Sequence, residues 1–260
     1  MSSVTKVTLK DDGDNTIPAY LFGYASFSKD GVTLTIPESI TAIGDGAFYS
    51  ANFPKTLDLS KFKSFGTYAF ANNKTITGNN GVVTFADNSK FTGEQTFLNC
   101  TALSGTLTIP NGANIPHRAF DGCSGIESIV LHSGMTSGES WHKGCFLNMS
   151  KVSSVTIKDD GNNTIPANVF GGASFSKDGV KLTIPESITA IGDYAFYSAN
   201  FPTKLDLSNQ FTSYGASAFE GNTAFKGNNG DGIIAVKKPT SAKSDVKVGG
   251  RAFWNTGATE

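Results

Sequence analysis

Charge is scarce in this 260-residue chain: Asp, Glu, Lys and Arg make up 17% of it and sum to a net charge of -1. That balance removes the electrostatic reason to expect nucleic acid or an acidic membrane as partner. The one basic concentration, Lys237, Lys238, Lys243, Lys247 and Arg251, reads as a solvated end of the domain. Apolar runs are short, and none approaches the ~18 residues of a membrane-crossing helix. Cysteine is rare too. Three thiols cannot all pair within one chain, so they define no disulfide framework. Tight metal-ligand pairs such as CxxC or HxxxH are absent, as is a GxSxG nucleophile turn. "KDDGDNT" and "KDDGNNT" hold part of a calcium loop but lack its closing Glu, and Asp, Asn and Gly also make ordinary turns. The expectation is therefore no catalytic residue, no metal and no cofactor. A leader pattern is missing as well, since "MSSVTKVTLKDDG" passes almost directly into repetitive sequence. That reads as either a cytosolic protein or a fragment without its targeting segment.

Glycine and phenylalanine are plentiful, at 29 and 20 residues. Ten of the phenylalanines form one register, at 22, 48, 70, 97, 120, 146, 170, 196, 219 and 253, spaced mostly 22 to 27 apart. Such a period marks stacked supersecondary units. Most are preceded by a short alternating segment, for example "VTLTIP", "GTLTIP", "SVTIK" or "TLDLS". A period of two reads as a strand with one buried face. The inward pairs include Leu34/Ile36, Leu57/Leu59, Leu107/Ile109, Val155/Ile157 and, in the last coil, Ile234/Val236. Pro37, Pro110 and Pro185 stop the strand, because proline offers no N–H to a ladder. A second apolar pair follows, as in Ile40/Ile43. Gly44 then bends the chain, and Asp45 is placed to cap a single helical turn carrying Ala47 and Phe48.

No single repeat can bury these residues alone, whereas stacked copies bury them continuously. The expected fold is mainly β: a right-handed leucine-rich-repeat solenoid of about ten coils. A parallel sheet would run along one face, with short turns or single helical turns elsewhere. Residues 1–260 form one domain in this reading. Residues 4–60 match residues 152–208 at 46 of 57 positions. The duplication extends over 4–81 and 152–230, leaving unduplicated coils at 82–151 and a divergent terminal coil at 231–260.

The words "LTIPESITAIGDGAFYSA", "LTIPNGANIPHRAFDGC" and "LTIPESITAIGDYAFYSA" carry a strand ending in Ile-Pro, then Ile-Gly or a variant, then Ala-Phe, then a small residue. In this pattern the chain closely resembles the BspA-like leucine-rich repeat family, with Cys100 and Cys123 at the family's cysteine position. The resemblance implies a surface protein that adheres to host matrix or to neighbouring cells and has no catalytic activity of its own. Family members on surfaces are exported, so it also implies a cell-surface or extracellular location. It implies no shared set of binding residues.

Candidate binding residues come from the strands. The outward side chain at each strand's centre is Thr8, Thr35, Asp58, Thr84, Thr108, Thr156, Thr183 or Asp206 in most coils. Val130 and Ala235 take that place in two others. Solenoids recognise partners through such regular faces. The irregular coil before Phe146 adds His132, His142 and Lys143, with Trp141 taking the core position of Ile115. Adjacent coils would bring His117 near His142. Sequons at Asn73, Asn99, Asn148 and Asn162 matter only in a glycosylating compartment. The partner expected is a protein or glycan on a host or neighbouring cell. End-to-end self-association through exposed strand edges is the alternative.

Overall fold

The computed structural model describes residues 4–27, 32–78, 82–137, 144–175, 179–208, 210–236 and 246–258. Within them the chain winds as a solenoid of parallel β-strands on two faces. The first face holds a two-stranded sheet, Lys6–Thr8 beside Thr33–Thr35. A five-stranded sheet follows, running through Val82–Thr84, Gly105–Ile109, Ile126–His132, Ser154–Lys158 and Lys181–Thr183. The second face is built from two-residue strands in sheets of six and four. These contain the second apolar pieces, such as Ala42–Ile43 and Ala190–Ile191. The sequence led us to expect one sheet; the second pieces pair across coils as well, through bonds such as Gly44 N–H to the Ile17 carbonyl at 2.9 Å.

Alternation along the strands explains the core. Leu107, Ile109, Ile129, Leu131, Val155 and Ile157 are all buried between the faces, as are Ile40 and Ile43. Val236 departs from its expected inward role and is exposed. Prolines 37, 110 and 185 each follow a strand, and each carbonyl accepts from the N–H three residues on. Seven coils, rather than ten, place a strand on the first face among the described residues. In the third coil the segment after Leu57 tightens into a 3-10 turn, Leu59–Lys61. The turn starts because the Asp58 carboxylate accepts from Ser60 N–H at 2.9 Å, satisfying a donor that a strand would have given its neighbour.

The phenylalanine register forms the spine. Rings from Phe22 to Phe253 follow one another with centroids 4.9 to 6.1 Å apart. The turns that insert them are not helical. Two residues before and two after most of these rings, φ is positive: Tyr68 at 55° and Asn72 at 59° flank Phe70, and Gln95 and Asn99, both at 57°, flank Phe97. Each N–H at these three positions donates to the next coil, as in Tyr68 to Glu94 O, Phe70 to Thr96 O and Asn72 to Leu98 O at 2.7–3.1 Å. Asp45 caps no helix. Its carboxylate reaches the next coil and accepts from Thr67 N–H at 2.8 Å, as Asp193 does from Ala216 N–H at 2.7 Å.

The Ile-Gly dipeptide has a steric cause. A Cβ on Gly44 would sit 2.8 Å from the Ile17 carbonyl oxygen and 2.9 Å from Ala19 N, and Gly192 meets the preceding coil in the same way. Coils at this corner touch backbone to backbone.

Phe120→Ala is expected to lower the unfolding free energy by ~3–5 kcal/mol, because its neighbours in the stack cannot collapse into the space. The outward Thr108→Ala should change it by less than ~1 kcal/mol. Urea unfolding of both variants measures the contrast.

Candidate ligand-binding face

The five-stranded sheet sets outward side chains in columns, one per coil, because parallel strands in register repeat every ~4.8 Å. The central column is Thr84, Thr108, Val130, Thr156, Thr183, each paired with the next in register. Beside it run Thr106, Ser128, Ser154 and Lys181. Thr106 and Ser128 share a hydrogen bond between their hydroxyls at 2.7 Å. The result is a stripe of hydroxyls, able to donate and accept, bordered by two cations. Lys181 ends one column, and Lys158 stands next to His132 in register.

One corner of this face is polar and ordered. The His132 ring meets Asp160 with Nδ1 2.8 Å from Oδ2. Asp160 N–H donates to Ser133 Oγ at 2.8 Å, and that hydroxyl donates to Asp159 Oδ1 at 3.1 Å. Asp159 Oδ1 also accepts from Gly161 N–H at 2.9 Å. The Ser187 hydroxyl, with the Gly161 and Asn163 N–H groups, holds the Asp159 carboxyl below the usual carboxylate range. Asp11 stands in the same turn of the first copy and is lowered by the Ser39 hydroxyl and Gly13 N–H. The first acids of the two "KDDG" turns therefore serve structure, accepting from glycine N–H groups in their own loops and from serine hydroxyls of neighbouring coils.

The predicted residues divide. Thr84, Thr108, Thr156 and Thr183 share one sheet, whereas Thr8 and Thr35 pair on the separate two-stranded patch. Asp58 and Asp206 are exposed but do not continue the ladder. Each bends to accept from a serine two residues on, N–H and hydroxyl alike, at 2.6 to 2.9 Å. A carboxylate so close to the backbone N–H diverts it from the strand, which breaks the expected rank. His132 lies on the strand's end. His142, Lys143 and Trp141 fall outside the described residues. Ser137, not Trp141, holds the register of Ile115, so the extra residues of this coil come after the second-face strand. His117 Nδ1 lies 3.3 Å from Glu94. Cys100 and Cys123 are buried, their thiols donate to the Phe70 and Phe97 carbonyls, and burial pushes both thiols well up. Among the described residues, no group of three His, Cys, Asp or Glu is gathered for a metal ion.

Reading the strands misses a second surface, the outer ridge of the phenylalanine turns. Its side chains come from the positions two before, one after and two after each Phe. Six of the seven tyrosines, both arginines and Trp254 occupy those positions, and none of the chain's lysines does. Tyr24, Tyr49 and Tyr68 follow one another over three coils with centroids 5.2 and 6.1 Å apart. Further along, Arg118 pairs with the buried Asp121, and Arg251 lies over Trp254. The signal was in the sequence as a bias of residue type within the Phe register.

Two stacked parallel faces joined by a repeated turn define a leucine-rich-repeat solenoid. The family model of the BspA type leucine rich repeat region matches residues 1–111, 78–178 and 139–229, and the chain belongs to that family. No curated protein shows a significant match. Three solved structures are similar over most of the chain. A leucine-rich repeat protein from Bacteroides ovatus is 18% identical, covering 97% of this chain and 76% of that one, with a TM-score of 0.35. One from Eubacterium ventriosum is 16% identical, covering 100% and 91%, with a TM-score of 0.33. A leucine rich cell surface protein from Faecalibacterium prausnitzii is 17% identical, covering 93% and 62%, with a TM-score of 0.31.

A carboxylate held ionised by native donors stabilises the fold above its unfolded value of about 3.9, and that contribution is lost as pH falls through its lower folded value. The thermal midpoint should therefore drop on acidification from about pH 4 towards pH 2. Asp159→Asn should make the drop shallower, as a melting series across that range would show.

Proposed function

We propose that this chain is a non-enzymatic binding module of a surface-adhesion type, engaging a protein or glycan partner through the hydroxyl-lined sheet. The carrying observation is the five-strand register that repeats Thr84, Thr108, Thr156 and Thr183 along one face. Such a face makes many weak identical contacts, and multivalent contact raises avidity without any single deep pocket. Membership of the BspA-type family supports the same reading, and the proposal includes a location on the cell surface or outside the cell. Lys158 and Lys181 give the stripe a weakly basic margin for acidic groups on a partner, with His132 at the strand's end offering a polar ring.

A second reading, association between copies, is favoured by Val248 and Trp254, both more than half exposed in the last coil. Sedimentation across a concentration range separates it from heterologous binding, because assembly between copies grows with concentration.

Thr108→Lys/Thr156→Lys, placed on the outer face only, should preserve the melting temperature. It should weaken binding to immobilised matrix proteins or whole cells by about tenfold or more. Undiminished binding by that variant would remove the sheet face from the proposal.

A further inference from the structure

The turn ridge is chemically unlike the sheet faces. Tyrosine, tryptophan and arginine are the residue types that concentrate in binding hot spots, while lysine is depleted there. Tyr20 and Tyr24 are 56% and 72% exposed, so two large rings stand in water. Tyr49 and Tyr68 continue the line. The Asn72 amide donates to the Tyr49 hydroxyl at 3.4 Å, and the Gln95 amide donates to the Tyr68 hydroxyl at 3.3 Å. The strip thus interleaves aromatic rings with planar amides and phenolic hydroxyls over four coils.

The internal duplication shows that the rings are not a by-product of the repeat. The two copies are nearly identical in strands and core, yet Tyr20 and Tyr24 correspond to Asn168 and Gly172. The Tyr20 ring packs against Gly46, where an added Cβ would come within 2.3 Å of it. In the second copy the Gly46 position holds Tyr194, and the Tyr20 position has shrunk to Asn168. Ring and gap have exchanged coils, so each copy keeps a ring at this column of the ridge while the first alone presents the extended line.

We propose that the strip from Tyr20 to Gln95 binds an extended, neutral polysaccharide. A pyranose ring has a face of polarised C–H groups and an edge of hydroxyls. The negative face of an aromatic ring takes the first, and an amide that both donates and accepts takes the second. No lysine or arginine lies in the strip, which suits an uncharged chain rather than an anionic one. Repetition along the solenoid suits a polymer whose units also repeat. This surface lies on the turn side of the coil, apart from the hydroxyl face, and does not depend on it.

Affinity electrophoresis tests the proposal with the whole chain in native gels containing dextran, β-glucan, mannan or galactan, and with heparin as the polyanionic comparison. At least one neutral polysaccharide should retard the wild type. Tyr20→Ala/Tyr24→Ala should reduce the apparent affinity about tenfold or more, with unchanged circular dichroism. Tyr24→Trp should retain binding, as should Thr108→Lys/Thr156→Lys. The proposal is overturned by retardation in heparin alone or in none of the gels. It is overturned equally if the double tyrosine variant still binds. Loss confined to the Thr108/Thr156 variant would place sugar binding on the sheet face instead, and capture of a proline-rich peptide in place of sugar would assign the ridge to protein.

Discussion

The backbone bonds that pass from one phenylalanine turn to the next are the constraint on which this molecule depends. A strand uses its N–H groups alternately on either side, but here the residues two before and two after most of the register phenylalanines take a left-handed conformation. The donors of all three positions then point the same way along the solenoid. For a non-glycine residue that conformation costs ~1–2 kcal/mol. Tyrosine, glutamine and arginine adopt it in this chain as readily as asparagine does. In the turns of Phe22, Phe48, Phe70, Phe97, Phe170, Phe196 and Phe219 the cost is offset by three bonds to the next turn and by a ring stacked on its neighbours. Because the cost recurs with the repeat, it belongs to the architecture and not to a single strained site.

That division of labour leaves the outward positions free to vary. The spine, the Ile-Gly corner and the inward pairs hold each coil to the next, so side chains on the sheet face and the turn ridge carry little of the stability. The duplicated blocks show the consequence. They agree in the word "LTIPESITAIGD" and differ where Tyr20 and Gly46 exchange character with Asn168 and Tyr194. Buried polar groups follow the same economy: Asn73 sits at a small-residue core position, donating to the Phe53 carbonyl and accepting from Thr75 and Ile76 N–H. Such a group is tolerated inside only when its bonds are complete.

The core was legible in the sequence because burial imposes a period. Leu107/Ile109 and Val155/Ile157 alternate, the Phe register recurs, and Pro110 ends its strand for a reason visible in the residue itself. Other features were less legible. Asp58 and Asp206 look like further rungs of a column, and only local geometry shows each carboxylate turning to its own Ser N–H. The second face was readable as extended chain but not as a sheet, since two-residue strands have no period of their own. The left-handed turn was hidden because tyrosine and glutamine do not advertise positive φ as glycine does. Ser137 taking the register of Ile115 in place of Trp141 reflects the same limit: an irregular coil can place its extra residues on either side of a two-residue strand. The strand threonines alternate with apolar residues and so read as outward, whereas the ridge positions share no period of their own and only the repeated turn brings them into line.

Amide hydrogen exchange tests the central role of the turn ladder most directly. If the ladder holds the coils together, the N–H groups of Phe48, Phe70, Phe97, Phe170 and Phe196, each bonded to the next coil at 2.7–2.9 Å, belong to the slowest-exchanging set. They should open together with global unfolding, while Gly161 and its loop exchange fast. Rapid exchange at these phenylalanines, with protection confined to the five-stranded sheet, would contradict the account.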